Sequence, residues 1–148
     1  MTNHVRALAL VLPLAFASPH LARAADAGPA ECSLATLSGT YLFAFSGVTV
    51  ATGGSTPFAV AGYEVYDGAG RMRSVVTTNA NGKLEHNVRQ PGTYTVAQDC
   101  TGTVTYADGT IYDLFLAPDG GNFVFVETNP AKVAAGFEPR ATAQRVAQ

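Results

Sequence analysis

The chain has 148 residues, which is enough for one domain but not for two. Nine Lys and Arg residues against eleven Asp and Glu give a formal net charge of −2, and the charges are scattered singly along the chain. Because no basic stripe is present to neutralise phosphates, and no basic amphipathic helix to lie on a membrane surface, we expect neither nucleic acid nor a membrane as a partner.

The first 24 residues differ from the rest of the chain. The start is weakly basic, residues 7–17 form an uncharged apolar run, and the small residues Ala22 and Ala24 flank Arg23. This order is typical of a secretory signal peptide cleaved after Ala24. The eleven apolar residues are too few for a membrane anchor, which needs about 20. We therefore expect an exported protein, periplasmic or extracellular, without a membrane span in its mature form.

Cys32 and Cys100 are the only cysteines of the chain. Two cysteines in an exported protein are expected to pair, since that compartment is oxidising. The bridge spans 68 positions and stabilises by roughly 4 kcal/mol if it acts by restricting the unfolded chain. We divide the chain into a signal peptide (1–24), a lead-in segment (25–38) and a β-barrel domain (39–148), and the disulfide ties the lead-in to the domain.

After the lead-in the chain has the pattern of a β protein, with short runs rich in Val, Thr, Tyr and Phe between glycine-containing turns. A short helical turn is expected only at 33–37. The expected strands, in chain order, are 39–49, 58–66, 71–79, 83–89, 92–97, 102–106, 110–117, 122–128 and 131–140. Eight or nine hairpin-linked strands favour an antiparallel up-and-down barrel of about eight strands, because closure removes unpaired edges. A two-sheet β-sandwich is the alternative.

Four segments carry a resemblance to a known family. They are CSLATLSGTY at 32–41, GYEVYDGAG at 62–70, GTYTVAQDCTGTVTY at 92–106 and FVETNP at 125–130. In these the chain resembles small exported bacterial proteins with an allene-oxide-cyclase-like, calycin-type β-barrel, over essentially the whole mature chain. The shared motifs are turn and strand patterns, so the resemblance implies a fold more than an activity. The motifs of the plant allene oxide cyclases do not occur here, and their catalytic residues and reaction are not carried over.

Aromatic side chains are frequent in the expected strands. A barrel of eight strands is just wide enough to be filled by side chains or to hold one small ligand. The aromatic side chains therefore form either a packed core or the wall of an apolar cavity with a few tyrosine hydroxyl groups. The residues expected to line such a cavity are Tyr41, Phe43, Phe45, Tyr94, Tyr106, Phe123 and Phe125.

Catalytic motifs are largely missing. We find no nucleophile elbow, no phosphate-binding loop and no dinucleotide fingerprint. His86 is the only histidine after the signal peptide, and it lies in a polar strand where we expect it to be exposed. We therefore expect no metal site and no cofactor.

Three carboxylates in expected strands are candidates for a general acid or base: Glu64, Asp113 and Glu127. If buried, each needs a partner or a raised pKa. The face that Asp113 occupies is undecided. Glu127 shares a face with Phe123 and Phe125 and precedes a turn. It is expected either at the mouth of the barrel or as a cap on the N–H groups of that turn, and we favour a structural role.

The orientation of Glu64 depends on the register of the hairpin around 67–70. If those four residues form the loop, Glu64 opposes Arg73 on the outer face, and this charge pairing favours the outward arrangement. If the loop also takes in Arg71, Tyr66 opposes Met72 and Glu64 points inward, because a shift of one residue reverses the face. An inward Glu64 is the best single candidate for an acid or base.

Three functions are consistent with these patterns. The first is an exported barrel that binds a small, largely apolar molecule. The second is an enzyme of the cyclase or isomerase kind that acts on a hydrophobic substrate inside the barrel, and the third is a non-catalytic surface or adhesive module.

Overall fold

The computed structural model describes residues 31–141, so the expected signal peptide lies outside the described residues. A single 3₁₀ turn, Leu34–Thr36, falls in the segment where a helical turn was expected. Eight strands follow: β1 (Ser38–Ala51), β2 (Gly54–Asp67), β3 (Arg71–Ala80), β4 (Lys83–Val96), β5 (Thr101–Tyr106), β6 (Ile111–Leu116), β7 (Asn122–Glu127) and β8 (Lys132–Pro139). Each strand pairs antiparallel with the next, and β8 pairs with β1. The prediction of a closed up-and-down barrel is confirmed, and the sandwich alternative is wrong.

Two of the nine expected strands are one strand. The runs 83–89 and 92–97 form β4, which continues through Pro91. Pro91 lies one residue before Gly92, where β5 begins to pair with β4. The missing N–H of the proline therefore removes no hydrogen bond from that ladder.

The two ends of the barrel differ. The loops after β1, β3, β5 and β7 lie at one end, which we call the open end. The loops after β2, β4 and β6 lie at the other, the closed end, together with the 3₁₀ turn. The segment with the 3₁₀ turn covers the closed end. Leu37 of this segment is fully buried, and the hydroxyl group of Tyr94 donates to the carbonyl oxygens of Leu34 and Leu37 at 3.1 and 2.9 Å.

A disulfide fastens the lead-in to the closed end. Cys32 and Cys100 are bonded, with their Cα atoms 4.9 Å apart, which confirms the predicted pairing. The N–H of Cys32 also donates to the carbonyl of Gln98 at 3.0 Å. The 3₁₀ turn is thus held by one covalent bond and several hydrogen bonds over that end.

The two faces of the sheet alternate as expected for a barrel, with one set of side chains directed inward. The outer face is unusually apolar in places, since Val133, Phe137 and Phe115 are each more than half exposed. In the described part of the chain, no helix is long and apolar enough to cross a membrane.

Candidate functional site

The barrel interior is hollow toward the open end. A cavity of about 270 Å³ runs inward between the side chains of several strands. Asp108 and Lys132 stand at its open end and both reach solvent, whereas Phe123 and Leu114 border its inner part and are buried. The cavity is slightly smaller than the 300–1,000 Å³ typical of sites for drug-sized molecules, so its occupant has to be small.

Eight aromatic residues border the cavity. Phe45 lies at the centre of this group, with ring centroids 5.0 Å from Phe125, 6.2 Å from Tyr112 and 6.3 Å from Phe58. All three contacts are edge-to-face, an arrangement that aromatic rings prefer. Glycine makes room for them, since a Cβ on Gly136 would lie 2.5 Å from the ring of Phe125.

Most of the residues expected to line a cavity do so. Phe43, Phe45, Tyr106, Phe123 and Phe125 border it. The other two expected residues do not.

Tyr41 and Tyr94 instead belong to the closed end. The hydroxyl group of Tyr41 donates to the carbonyl of Gly120 at 2.7 Å, and that of Tyr94 donates to carbonyls of the lead-in. Their hydroxyl groups are used to close the barrel. Tyr66, Tyr112 and Phe58, which are not among the expected lining residues, border the cavity.

Glu64 points into the barrel, and the outward arrangement favoured by the sequence is wrong. Glu64 pairs with Ser74 and Tyr66 pairs with Met72. The reason lies in the turn: Oδ1 of Asp67 accepts hydrogen bonds from the N–H groups of Ala69 at 2.7 Å and Arg71 at 3.0 Å. This shortens the loop to 68–70 and turns β2 over relative to β3, so that Glu64 and Tyr66 point inward together with Met72.

The carboxyl group of Glu64 is buried and hydrogen-bonded. The side chain is 2 % exposed, and the hydroxyl group of Tyr66 donates to its Oε2. Burial raises the pKa of Glu64 to about 7, and the hydrogen bond from Tyr66 acts in the opposite direction. Glu64 can therefore gain or lose a proton near neutral pH.

A second buried acid, Glu138, was missed by the sequence reasoning. It lies on the inner face of β8, is 4 % exposed and borders the cavity. Burial, and then the charge of Glu64, raise its pKa to about 10. Among the described residues nothing hydrogen-bonds to its Oε2. The only signal in the sequence was its position two residues after Gly136 and four after Ala134, two small residues on the same face.

Glu127 lies on the inner face of β7, at the open end of the cavity. Its side chain is 1 % exposed and its Oε1 lies 3.5 Å from Nζ of Lys132. Within residues 31–141 neither carboxylate oxygen accepts a hydrogen bond, and burial raises the pKa of Glu127 while Lys132 lowers it. Glu127 does not cap the following turn: Oδ1 of Asn129 does so, accepting from the N–H of Ala131 at 3.0 Å.

The remaining candidate, Asp113, lies away from the cavity. It pairs with Thr103 and Val126 and shares the outer face with them, whereas its neighbours Tyr112 and Leu114 point inward. His86 is exposed on β4, as expected. Neither residue can contact a molecule inside the barrel.

The site thus combines aromatic rings with two inward carboxyl groups, Glu127 and Glu138, and Lys132 is the only cation that borders the cavity in the described part of the chain. Glu64 does not itself border the cavity but lies behind Tyr66, which does. Such a site can bind a small apolar molecule and interact with a polar group on it. It can also transfer a proton. No group of three or more His, Cys, Asp or Glu residues within 31–141 is arranged to hold a metal ion.

Comparisons of the chain with protein-family models, with curated proteins and with solved structures gave no match.

Proposed function

We propose that the protein is an exported barrel that binds a small, largely apolar molecule in its interior. The observation that carries this proposal is the cavity of about 270 Å³ bordered by aromatic rings. A barrel whose interior served only for stability would have its rings packed without such a space, because protein cores are close-packed.

Export is supported by the disulfide, since a bonded cysteine pair persists in an oxidising compartment. N-terminal sequencing of material recovered outside the cytoplasm tests it. A chain that begins at or near Ala25 agrees with the proposal, and a chain that still begins at Met1 contradicts it.

Binding can be tested with N-phenyl-1-naphthylamine, an apolar dye that is uncharged at neutral pH and fluoresces strongly in apolar surroundings. The dye is excited at wavelengths where neither tyrosine nor tryptophan absorbs, so the fluorescence of the protein and of its variants does not interfere. We expect saturable binding of one dye molecule per chain. No rise in fluorescence up to the solubility limit of the dye contradicts the proposal.

Two variants of β3 form a matched pair for this experiment. Val76 borders the cavity, and Val75 is its neighbour on the opposite face of the strand. Val76→Trp places an indole ring in the cavity and should weaken dye binding at least tenfold, whereas Val75→Trp should change it less than twofold. Equal loss in both variants, or in neither, shows that the dye binds elsewhere.

A second candidate is an enzyme of the cyclase or isomerase kind. The observation in its favour is the inward Glu64, with a pKa near 7 and a hydrogen bond from Tyr66, which suits a general acid or base. A molecule extracted from the protein can be incubated with it and its mass and isomeric form followed. Conversion that Glu64→Gln abolishes without loss of binding supports this function, and an unchanged molecule contradicts it.

A further inference from the structure

We propose that the bound molecule carries a protonated amino group, which forms an ion pair with the carboxylate of Glu138 in the inner part of the cavity. This inference rests on the proposed binding function and specifies the chemical class of its ligand. It identifies the ligand as a small apolar amine, not as a neutral or acidic molecule.

The unpartnered oxygen of Glu138 is the first observation. The side chain is 96 % buried and borders the cavity, and no described residue hydrogen-bonds to its Oε2. A buried polar atom without a partner is costly, and such atoms in native proteins are commonly satisfied by a ligand or water. A ligand with an N–H donor at this point supplies the missing hydrogen bond.

The charge distribution is the second observation. Glu127, Glu138 and Asp108 border the cavity and Glu64 lies beside Tyr66, whereas Lys132 is the only cation bordering it among residues 31–141. Carboxyl groups between low-dielectric walls attract cations and repel anions when they are ionised. An acidic ligand, such as a fatty acid, is disfavoured on this ground.

Lys132 distinguishes the two ends of the cavity. Its Nζ lies 3.5 Å from Glu127 Oε1 and also donates to Oγ1 of Thr110 at 3.4 Å, so the acid at the open end already has a counter-charge. Around Glu138 the interacting titratable groups are Glu64 and Tyr66 from β2 and Tyr112 from β6, none of which is a cation. In the inner part, an ionised Glu138 therefore lacks a counter-charge, which a bound ammonium group would supply.

The aromatic wall is the third observation. Tyr66, Tyr112 and Phe125 all border the cavity, and Tyr112 and Phe125 stand edge-to-face with centroids 5.1 Å apart. Ring faces attract an ammonium group through their quadrupoles, and the same rings cover the apolar part of a ligand. Carboxyl groups and aromatic rings together are a common environment for organic cations.

Binding of the amine changes the protonation state of Glu138. At pH 7 a free alkylamine is protonated, and Glu138 also holds its proton because its pKa is raised to about 10. Formation of the ion pair leaves the ammonium group intact and releases the Glu138 proton to solvent. Up to one proton should therefore be released per amine bound, and the affinity should rise by up to tenfold per pH unit between pH 7 and 9.

The experiment compares three compounds that share one phenyl ring: 2-phenylethylamine, 2-phenylethanol and 3-phenylpropanoate. Each is titrated into the unaltered protein by calorimetry, and against bound N-phenyl-1-naphthylamine. We expect the amine to bind at least tenfold more tightly than the alcohol, and the anion to bind most weakly. Calorimetry in two buffers of different ionisation enthalpy measures the released proton.

Two variants locate the amino group. Glu138→Gln keeps the shape of the side chain and should weaken amine binding at least tenfold, while binding of the alcohol changes less than threefold. Asp113→Asn, on the outer face of β6 and away from the cavity, is the matched control and should change amine binding less than threefold. If Glu138→Gln does not fold, the comparison of the three compounds on the unaltered protein still decides the matter.

The outcomes separate the two proposals. Dye binding together with an alcohol that equals the amine, or with the anion binding most tightly, overturns the amine inference and leaves the binding function in place. A folded Glu138→Gln variant that keeps the preference for the amine over the alcohol also overturns it. If neither the dye nor any of the three compounds binds, both proposals fail.

Discussion

Replacing Glu64 by Gln should remove part of the pH dependence of the free energy of unfolding. The carboxyl group of Glu64 is buried on the inner face of β2, and its pKa rises from 4.5 to about 7 on folding. Below pH 4.5 the group holds its proton in both the folded and the unfolded state. Between pH 4.5 and 7 only the folded state holds it, so the free energy of unfolding falls as pH rises.

The size of the effect follows from the separation of the two pKa values. A difference of about 2.5 pH units corresponds to about 3 kcal/mol at about 1.4 kcal/mol per unit. This destabilisation is fully present above pH 7 and absent below pH 4.5. Glu138 acts in the same direction, because burial and the charge of Glu64 both raise its pKa. Removing the charge of Glu64 lowers the pKa of Glu138 and so weakens the contribution of Glu138 to this destabilisation.

The assay is urea denaturation of Glu64→Gln and of the unaltered protein at pH 4 and pH 8, with the disulfide intact. The glutamine can still accept the hydrogen bond from Tyr66. Its N–H₂ group changes the free energy of unfolding by an amount that does not depend on pH. We expect the difference in stability between the two proteins to shift by about 3 kcal/mol in favour of the variant between pH 4 and pH 8.

The control is Glu85→Gln on β4, whose side chain is 54 % exposed and forms only a surface ion pair with Lys83. Its difference from the unaltered protein should shift by less than about 0.5 kcal/mol over the same range. A shift below about 1 kcal/mol for Glu64→Gln, or one in the opposite direction, refutes the buried position of the carboxyl group.

Three further predictions concern the closed end, and urea denaturation measures each. Replacing Cys32 and Cys100 together by Ala should lower the free energy of unfolding by roughly 4 kcal/mol, as expected for a bridge across 68 positions; a loss below 1 kcal/mol contradicts the view that this bridge anchors the lead-in. Gly120→Ala should cost more than about 2 kcal/mol, because φ is +66° and the new Cβ would lie 2.2 Å from a carbonyl oxygen. The control is Gly109→Ala, where φ is +84° but nothing lies within 4 Å of the new Cβ, and it should cost only about 1 kcal/mol. Equal losses of stability in the two glycine variants would contradict the close contact at Gly120. Tyr94→Phe should cost about 1–3 kcal/mol by leaving the buried carbonyl group of Leu37 without its donor, yet dye binding should not change.

Alternation along single strands predicted part of the interior correctly. On β1 and β7 the aromatic residues that recur at every second position, such as Tyr41 and Phe123, do share the inner face. Those strands carry large apolar side chains inside and smaller ones outside, so burial follows hydrophobicity. The disulfide and the closed barrel could also be expected, because both follow from composition and from the number of turns.

Pattern alone could not place the carboxyl groups. On β8 the apolar Val133 and Phe137 are exposed while Glu138 is buried, the reverse of what hydrophobicity predicts. For Glu64 the face depended on a loop length that was set by two backbone hydrogen bonds to the side chain of Asp67. In both cases the pairing of neighbouring strands decides the face, and that information is not local in the sequence.

A crystal structure of the protein with N-phenyl-1-naphthylamine tests the central claim most directly. We expect density for one dye molecule inside the barrel, in contact with Phe45, Tyr112 and Phe125. Density for the dye only on the outer face, beside the exposed rings of Phe115 and Phe137, would contradict it.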